Sequence, residues 1–355
     1  MAYPMNRTRI INTLFRISGV FLSLVFTVLV LMIANANPLE AFQSVFRGAV
    51  STPVRIADVL VAFVPLIVTT CGLAITFTVG LWNIGIEGQI TIGAIMATWA
   101  LRLFQDSPVP PAFIIIFGFL AAAVGGMVWS LLAGFLKLYG GVNEIFAGLG
   151  LNFIATALTI WLIFGPWKRP GVASMSGTVP FDKALGLPTL PGFRLSVWSL
   201  VLAALSVALV FLFLNNTKIG LRMKAVGKNP KAAILMGISS SRYFLLAFIM
   251  CGFFAGLTGA IQVIGVYNRL IPAISSGYGF LGLLVAMLVD YHVILAVPVS
   301  LLYAALNIGG IQLPIAMKID STLAGVMQSS LVLFYMIMEG ARKKYLTAIE
   351  RRENE

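Results

Sequence analysis

Residues 59–86, VLVAFVPLIVTTCGLAITFTVGLWNIGI, contain no Asp, Glu, Lys or Arg. A helix that crosses the hydrocarbon core of a membrane needs about 17–25 largely apolar residues. This stretch therefore predicts a transmembrane helix followed by a turn near residues 81–88, where Gly85 and Gly88 can break a helix.

The same pattern recurs along the whole chain. Charge-free stretches of spanning length also occur at residues 17–39, 107–136, 145–167, 195–217, 243–268, 270–289 and 321–338. Residues 291–317 fit one further helix, and residues 88–101 can span if Arg102 extends its side chain to the membrane interface. The pattern predicts ten transmembrane helices.

The composition excludes an ordinary water-soluble protein. Hydrophobic residues make up 59% of the 355 residues and charged residues only 10%, whereas soluble domains carry about 25% charged residues. Lipid must therefore act as part of the solvent. We predict an all-α polytopic membrane protein with about ten transmembrane helices.

The net charge of +12 reports topology rather than nucleic-acid binding, because the basic residues lie in short loops. With the N-terminus inside, 15 of the 24 Lys and Arg residues fall in predicted cytoplasmic segments. These segments are residues 1–16, 81–88, 137–144, 215–242, 290–292 and the tail from residue 340. The positive-inside rule thus places both termini in the cytoplasm.

The chain is predicted to be a single transmembrane domain, residues 1–355. Residues 17–36 form its first helix, which we expect to remain uncleaved because many spans follow it. Residues 165–195 are rich in Gly and Pro and form an external loop. Residues 340–355 form a cytoplasmic tail.

Two blocks of four predicted helices, residues 58–164 and 243–339, show weak internal similarity. The similar pieces are residues 80–83 (GLWN) with 265–268 (GVYN), and residues 146–148 (FAG) with 323–325 (LAG). The first block begins outside and the second inside, so a duplicated unit would be an inverted repeat, as in many transporters.

The most informative motif is the basic loop at residues 220–238, GLRMKAVGKNPKAAILMGI. Asn229 can cap a short helix, Pro230 suits its first position and Gly237 suits the left-handed residue after its last turn. The helix would carry apolar side chains within a charged loop. It therefore needs either a protein partner or the membrane interface.

Two polar motifs interrupt the apolar stretches. Residues 82–89, WNIGIEGQ, place polar groups at a turn, and Gly93 and Ala94 follow shortly after. In residues 141–144, GVNE, Asn143 can cap the next helix and Glu144 suits its first turn. Asn152 lies inside an apolar span, where its amide needs a partner, either another helix or the lining of a path.

These three motifs resemble the permease subunits of ABC importers for simple sugars, nucleosides and branched-chain amino acids. The polar motifs resemble especially the subgroup that works with nucleoside-binding lipoproteins. The resemblance covers residues 58–339 and implies a type II ABC-importer-like fold. It implies that the short helix couples the permease to a cytoplasmic ATPase through Gly227, Asn229, Pro230, Ala232, Ala233 and Gly237.

The resemblance also implies partners: a second permease subunit, two ATPase subunits and an external substrate-binding lipoprotein, all at the bacterial inner membrane. The chain lacks the phosphate-loop motif GxxxxGK[ST], so ATP and Mg²⁺ are expected in the ATPase and no cofactor in this chain. Candidate residues for the substrate path are Phe77, Trp82, Asn83, Asn152, Tyr267, Asn268, Tyr278 and Asn307.

Three alternatives remain open. The substrate could be a simple sugar or a branched-chain amino acid carried by the same machine. Asp290 and His292 could relay protons in an ion-driven carrier, although their position near a span end favours a solvated turn. An intramembrane enzyme is disfavoured because Cys71, Cys251 and a single His form no catalytic or metal-binding pattern.

Overall fold

The structure is a computed structural model that describes residues 5–171, 177–318 and 322–354. Within these ranges the chain is helical and has no strand. The helices are α1 (Met5–Ile33), α2 (Pro38–Val50), α3 (Pro53–Thr78), α4 (Ile86–Phe104), α5 (Pro111–Leu138), α6 (Glu144–Phe164), α7 (Val197–Asn216), α8 (Lys218–Lys228), α9 (Pro230–Leu235), α10 (Ser240–Ala260), α11 (Tyr278–Leu288), α12 (Val293–Gly310), α13 (Gln312–Met317) and α14 (Thr322–Asn354).

Six helical segments in the described part of the chain are long and apolar enough to cross a membrane. They are α3, α5, α6, α7, α10 with its π-helical extension Ile261–Tyr267, and α12 with α13. The pair α1 and α2, bent by 107°, raises the number to seven if it forms one span. The prediction of an all-α membrane protein is confirmed, whereas the count of ten spans is not.

The predicted first span, residues 17–39, is broken near its end. The helix α1 stops at Ile33, and Asn35 adopts a left-handed conformation with φ of 56°. Asn37 then caps α2, its side-chain oxygen accepting a hydrogen bond of 3.1 Å from the backbone N–H of Leu39. The chain turns here because a left-handed residue stops the right-handed helix and Pro38 is suited to start the next one.

The predicted span at residues 270–289 is wrong. Residues 268–277 form a loop, and α11 has only 11 residues, which rise about 16 Å, about half of the hydrocarbon thickness. The backbone φ is positive at Asn268, Ala273, Ser276 and Gly277. Four left-handed residues within ten positions exclude a continuous right-handed helix.

The chain divides into two compact units, of which the larger is Ala57–Leu301. Its centre is the close packing of α4, α5 and α10. Gly93 packs directly against Gly256, Gly126 against Gly252, and Gly259 against the backbone of Ile90. Small residues allow this close backbone approach, which is how membrane helices associate where lipid supplies no hydrophobic driving force.

The smaller unit comprises the described parts of Met1–Ile56 and Leu302–Glu355. Here α1 packs along α14, with the Ser330 hydroxyl 3.2 Å from that of Ser23 and 3.3 Å from that of Thr27. The hydroxyl of buried Tyr303 donates a hydrogen bond of 3.2 Å to the carbonyl oxygen of Gln328. Hydroxyl pairs of this kind join membrane helices because each satisfies the other's polar group away from water.

The inverted repeat remains a prediction. Its blocks correspond to α3–α6 and to α10–α14, but the local structures at the two similar tetrapeptides differ. Gly80 is a left-handed turn residue with φ of 79°, whereas Gly265 lies within the π-helix.

Candidate functional site

The short helix α9 has the local structure that the motif at residues 220–238 predicts. Asn229 is extended, and its side-chain oxygen accepts a hydrogen bond of 3.1 Å from the backbone N–H of Ala232. At the other end Gly237 is left-handed with φ of 78°. The backbone N–H of Ile238 donates to Ala233 and that of Gly237 to Ile234, both at 2.9 Å. This pair of bonds is a Schellman motif, which ends the helix sharply.

The two sides of α9 differ in exposure. Ala233 is buried at 3% exposure, whereas Ile234, Leu235 and Met236 are 59%, 89% and 79% exposed. Three adjacent apolar side chains at the tip of a basic loop form a surface that water solvates poorly, a feature that marks an interaction site. We call residues 234–236 the apolar tip.

The preceding helix α8 joins α9 to the end of α3. Gly227 lies so close to the backbone carbonyl of Thr78 that a side chain at position 227 would collide with it. Met223 and Val226 on the same helix are fully buried. A displacement of α8 would therefore also displace the turn that follows α3, because close-packed elements transmit strain.

A cleft of about 810 Å³ lies beside this contact. Its walls include Phe77 from α3, Asn215 from α7, Lys224 from α8 and the turn residues Tyr291 and His292. The rings of Phe77 and Tyr291 stack with centroids 4.7 Å apart. One wall of the cleft is thus the helix that leads to the apolar tip.

The turn between α3 and α4 is held by buried amides. Asn83 and Gln89 exchange two hydrogen bonds of 3.1 and 2.9 Å, and the Asn83 amide also donates to the Cys251 sulfur at 3.1 Å. Both amides are 1% exposed. Buried amides of this kind need such partners, so the pair fixes the conformation of residues 83–89.

Asn152 on α6 fastens the same turn from the other side. Its side-chain oxygen accepts a hydrogen bond of 2.8 Å from the backbone N–H of Gly88, and its amide donates to the carbonyl oxygen of Ile84 at 3.0 Å. Gly85 and Gly88 are needed here because a side chain on either would collide with α6. Of the two roles open to Asn152, the structure shows the contact with another part of the chain.

Glu87 connects α4 to α11. Its carboxylate accepts a hydrogen bond of 2.7 Å from the backbone N–H of Gly279, and the backbone N–H groups of Gly277 and Phe280 and the hydroxyl of Ser275 also face it. The first N–H groups of a helix have no partner within the helix, so Glu87 caps α11 from a different helix.

The start of α4 lies near the middle of the membrane-spanning helices, whereas the charge pattern predicts a cytoplasmic turn at residues 81–88. The continuous helix Ser240–Tyr267 has 28 residues. Asn83 bonds to Cys251 and Gly93 packs against Gly256, and both partners are close to the midpoint of that helix. Glu87 lies between these contacts, so the breaks before α4 and before α11 meet at mid-depth.

The predicted path residues fall into three groups. Phe77, Trp82, Asn83 and Asn152 surround the turn before α4, with Asn83 and Asn152 already bonded as described. Tyr267 and Tyr278 flank the loop 268–277, and Asn268 is its first residue. Asn307 lies on α12 in the smaller unit. Their contact with substrate stays a prediction.

Sequence reasoning missed the contact between Glu87 and Gly279. The only sequence signal was an acidic residue within a largely apolar stretch.

Asp290 and Tyr291 have positive φ values and His292 is exposed, so these residues form the predicted turn. In the described residues no group of His, Cys, Asp and Glu could hold a metal ion.

Residues 55–338 match the model of the family described as branched-chain amino acid transport system / permease component. The chain belongs to this family. It is therefore an integral membrane protein and a permease of the ABC transporter class, a transport subunit rather than an enzyme.

The names of the relatives of this permease give different substrates. The glucose ABC transporter permease TsgB13 of Haloferax volcanii is 29% identical over 92% of this chain and 87% of its own length. The guanosine permease NupP of Bacillus subtilis is 24% identical over 92% and 93%. The nucleoside permease NupB of Lactococcus lactis is 27% identical over 78% and 77%.

B. subtilis and L. lactis each contribute a second match to this permease. A further guanosine permease, NupQ, comes from B. subtilis, and a further nucleoside permease, NupC, comes from L. lactis. Permeases for the same class of substrate therefore occur in pairs among the relatives.

Proposed function

We propose that this permease is the transmembrane subunit of an ATP-driven importer for nucleosides in the bacterial cytoplasmic membrane, with both termini in the cytoplasm. The observation that carries the proposal is α9. It is a rigidly capped helix whose apolar tip is exposed within a basic loop, while its other side is fixed to the body of the permease.

The apolar tip is the docking surface for a cytoplasmic ATPase subunit. Apolar side chains that are exposed in the free subunit and covered in the complex supply much of the binding energy of a protein interface. The other residues proposed to couple the permease to the ATPase are Gly227, Asn229, Pro230, Ala232, Ala233 and Gly237, which give α8 and α9 their shape. ATP and Mg²⁺ belong to the two ATPase subunits, and this chain needs no cofactor.

The contact between Gly227 and Thr78 connects the ATPase-binding helices α8 and α9 to the substrate path. Movement of α8 reshapes the wall of the cleft and reaches the turn before α4. Phe77 lines that cleft, so ATP-driven movement of the ATPase acts directly on the cytoplasmic end of the path. The switch between inward-open and outward-open states follows from this linkage.

A nucleoside suits a path of moderate polarity with few fixed charges. Phe77, Trp82, Tyr267 and Tyr278 offer aromatic rings for the base, and Asn268 offers an amide for the ribose hydroxyls. The names of the guanosine and nucleoside permeases among the relatives support this substrate. A second permease subunit and an external binding lipoprotein complete the importer, and the paired relatives support the second permease.

A simple sugar is the second candidate substrate, because the glucose permease TsgB13 matches over most of the chain. The same path would then bind hydroxyl groups without a base. A branched-chain amino acid would need partners for its ammonium and carboxylate groups. An ion-driven carrier is disfavoured because Glu87, the acidic residue at mid-depth, caps α11.

The test is uptake in a strain that lacks the gene, restored with wild type or with Leu235→Asp. Radiolabelled guanosine, cytidine, glucose, ribose and leucine serve as substrates. We expect loss of nucleoside uptake on deletion and rescue by wild type alone. Loss of sugar or leucine uptake on deletion, with normal nucleoside uptake, would show that the permease transports that compound and not nucleosides. Full rescue by well-expressed Leu235→Asp would overturn the docking role of the apolar tip.

A further inference from the structure

Residues 268–277 form an unwound segment between two apolar helices. We call them the unwound segment. Irregular backbone at membrane depth is tolerated only where protein buries it or where it lines a water-filled cavity. In transporters, interrupted helices near mid-depth line the path, and groups of helices move around them during the transport cycle. The short helix α11 begins at mid-depth, so the unwound segment runs from its outer end, at Asn268, down to that level.

The outer end of the unwound segment is bonded to the external loop. The backbone N–H of Phe181 donates to the carbonyl oxygen of Asn268 at 2.8 Å, and that of Thr178 donates to Leu270 at 2.9 Å. The Thr178 hydroxyl accepts from the backbone N–H of Leu270 at 3.1 Å. These bonds resemble a short strand pairing and hold the outer end in place.

The inner end of the unwound segment is held by a carboxylate. Glu87 accepts from Gly279 at 2.7 Å and faces the neighbouring N–H groups at the start of α11. Gly279 has no room for a side chain, because an added carbon would collide with Glu87. Between the two attachments, Ala273 and Ser276 are exposed and left-handed, conformations that persist only where the surroundings hold them.

We propose that Glu87 is a positioning residue of the transport cycle, whose carboxylate holds α11 and the unwound segment in the conformation described here and releases them when the path opens. The inference rests on the proposed transport function but not on the identity of the substrate. Glu87 acts through α11 and does not contact the substrate.

The position of Glu87 links its bond with Gly279 to the helix α8. It lies on the first turn of α4, immediately after the turn that Asn83, Gln89 and Asn152 hold rigid. That turn follows Thr78, which contacts Gly227 on α8. A displacement of α8 therefore reaches Glu87 through consecutive contacts within the larger unit, and the bond between Glu87 and Gly279 is the step at which α11 can separate.

The experiment measures accessibility of the unwound segment with a cysteine at Ile274, which is 0% exposed in the held conformation. The full-length permease, Ile274→Cys, is reconstituted in lipid vesicles with its ATPase and labelled with a membrane-impermeant maleimide. The native cysteines Cys71 and Cys251 are 1% and 0% exposed, so the chain without Ile274→Cys supplies the background rate.

Three variants are compared on the Ile274→Cys background without ATP. We expect Glu87→Ala to label about tenfold faster, since it loses the hydrogen bond that holds the start of α11. Glu87→Gln keeps one acceptor oxygen and should label at an intermediate rate. Glu144→Gln is the control: it removes another acidic residue from the first turn of a helix, that of α6, and should label like the parent.

An unchanged labelling rate in Glu87→Ala, with unchanged background labelling, would overturn the proposal. If Glu87→Ala raises the background rate, it has exposed the native cysteines by unfolding, and Glu87→Gln then decides the question. Faster labelling of Ile274→Cys in that variant supports the proposal and an unchanged rate rejects it. Labelling needs no substrate, so a wrong substrate assignment would leave this result intact.

Discussion

Gly227 on α8 lies against the backbone carbonyl of Thr78 at the end of α3, and no space remains between them for a side chain. The contact joins the helix that leads to the apolar tip with the helix that leads to the buried turn. It is a contact of backbone with backbone, so its geometry depends on the absence of a side chain at position 227.

We expect Gly227→Ala to lower uptake strongly, because the new methyl group would collide with the Thr78 carbonyl and displace α8. Overpacking of this kind costs about 1–3 kcal/mol of folding free energy. Uptake at matched expression and the melting temperature of the purified permease measure the two effects. Gly150→Ala on α6 is the control, since nothing lies within 4 Å of that position. Normal uptake by Gly227→Ala would show that coupling bypasses this contact.

We expect Leu235→Asp to weaken ATPase binding about tenfold or more, since it places a charge in the centre of an apolar docking surface. The permease itself should stay folded, because Leu235 is 89% exposed. Co-purification of the ATPase with tagged permease measures the loss. Leu190→Asp in the external loop is the matched control and should retain the ATPase. Equal retention by both variants would place the docking surface elsewhere.

Asn83 and Gln89 should behave as one unit in a double-mutant cycle. We expect Asn83→Leu and Gln89→Leu each to destabilise the permease by about 1–3 kcal/mol, because each leaves the other amide unsatisfied. The double variant should cost clearly less than the sum of the two. Denaturant or thermal unfolding in detergent gives the three values. Additive losses would mean that the two amides do not depend on each other.

The packing of α5 on α10 should not tolerate a side chain at Gly126. We expect Gly126→Val to abolish the folded permease, because the added carbon would collide with the carbonyl of Gly252 on α10. Gly150→Val should fold, since its surroundings are open. Size-exclusion profiles of the two variants in detergent provide the comparison. A monodisperse Gly126→Val protein would show that the helices can separate without loss of the fold.

The local structure of α9 was predictable because its determinants are adjacent in sequence. Asn229, Pro230 and Gly237 each act on the backbone within a few residues, and the same reasoning placed the N-cap of α6 at Asn143. Charge-free stretches likewise predicted membrane helices, since transfer into lipid depends mainly on composition.

The break at residues 268–277 was not predictable from the same reasoning. An apolar stretch without charges has the composition of a spanning helix whether or not its backbone is continuous. The two ends of this segment are bonded to Phe181, Thr178 and Glu87, which are 87 to 192 positions away from their partners in the chain.

The sequence alone thus determined that this protein is a helical membrane protein with a short capped helix at residues 230–235, because hydropathy and helix capping act locally. The tertiary structure decided which polar groups face each other at mid-depth. Inside a membrane a buried carboxylate or amide must find its partner on another helix, and only the packing of α4, α6, α10 and α11 brings those partners together.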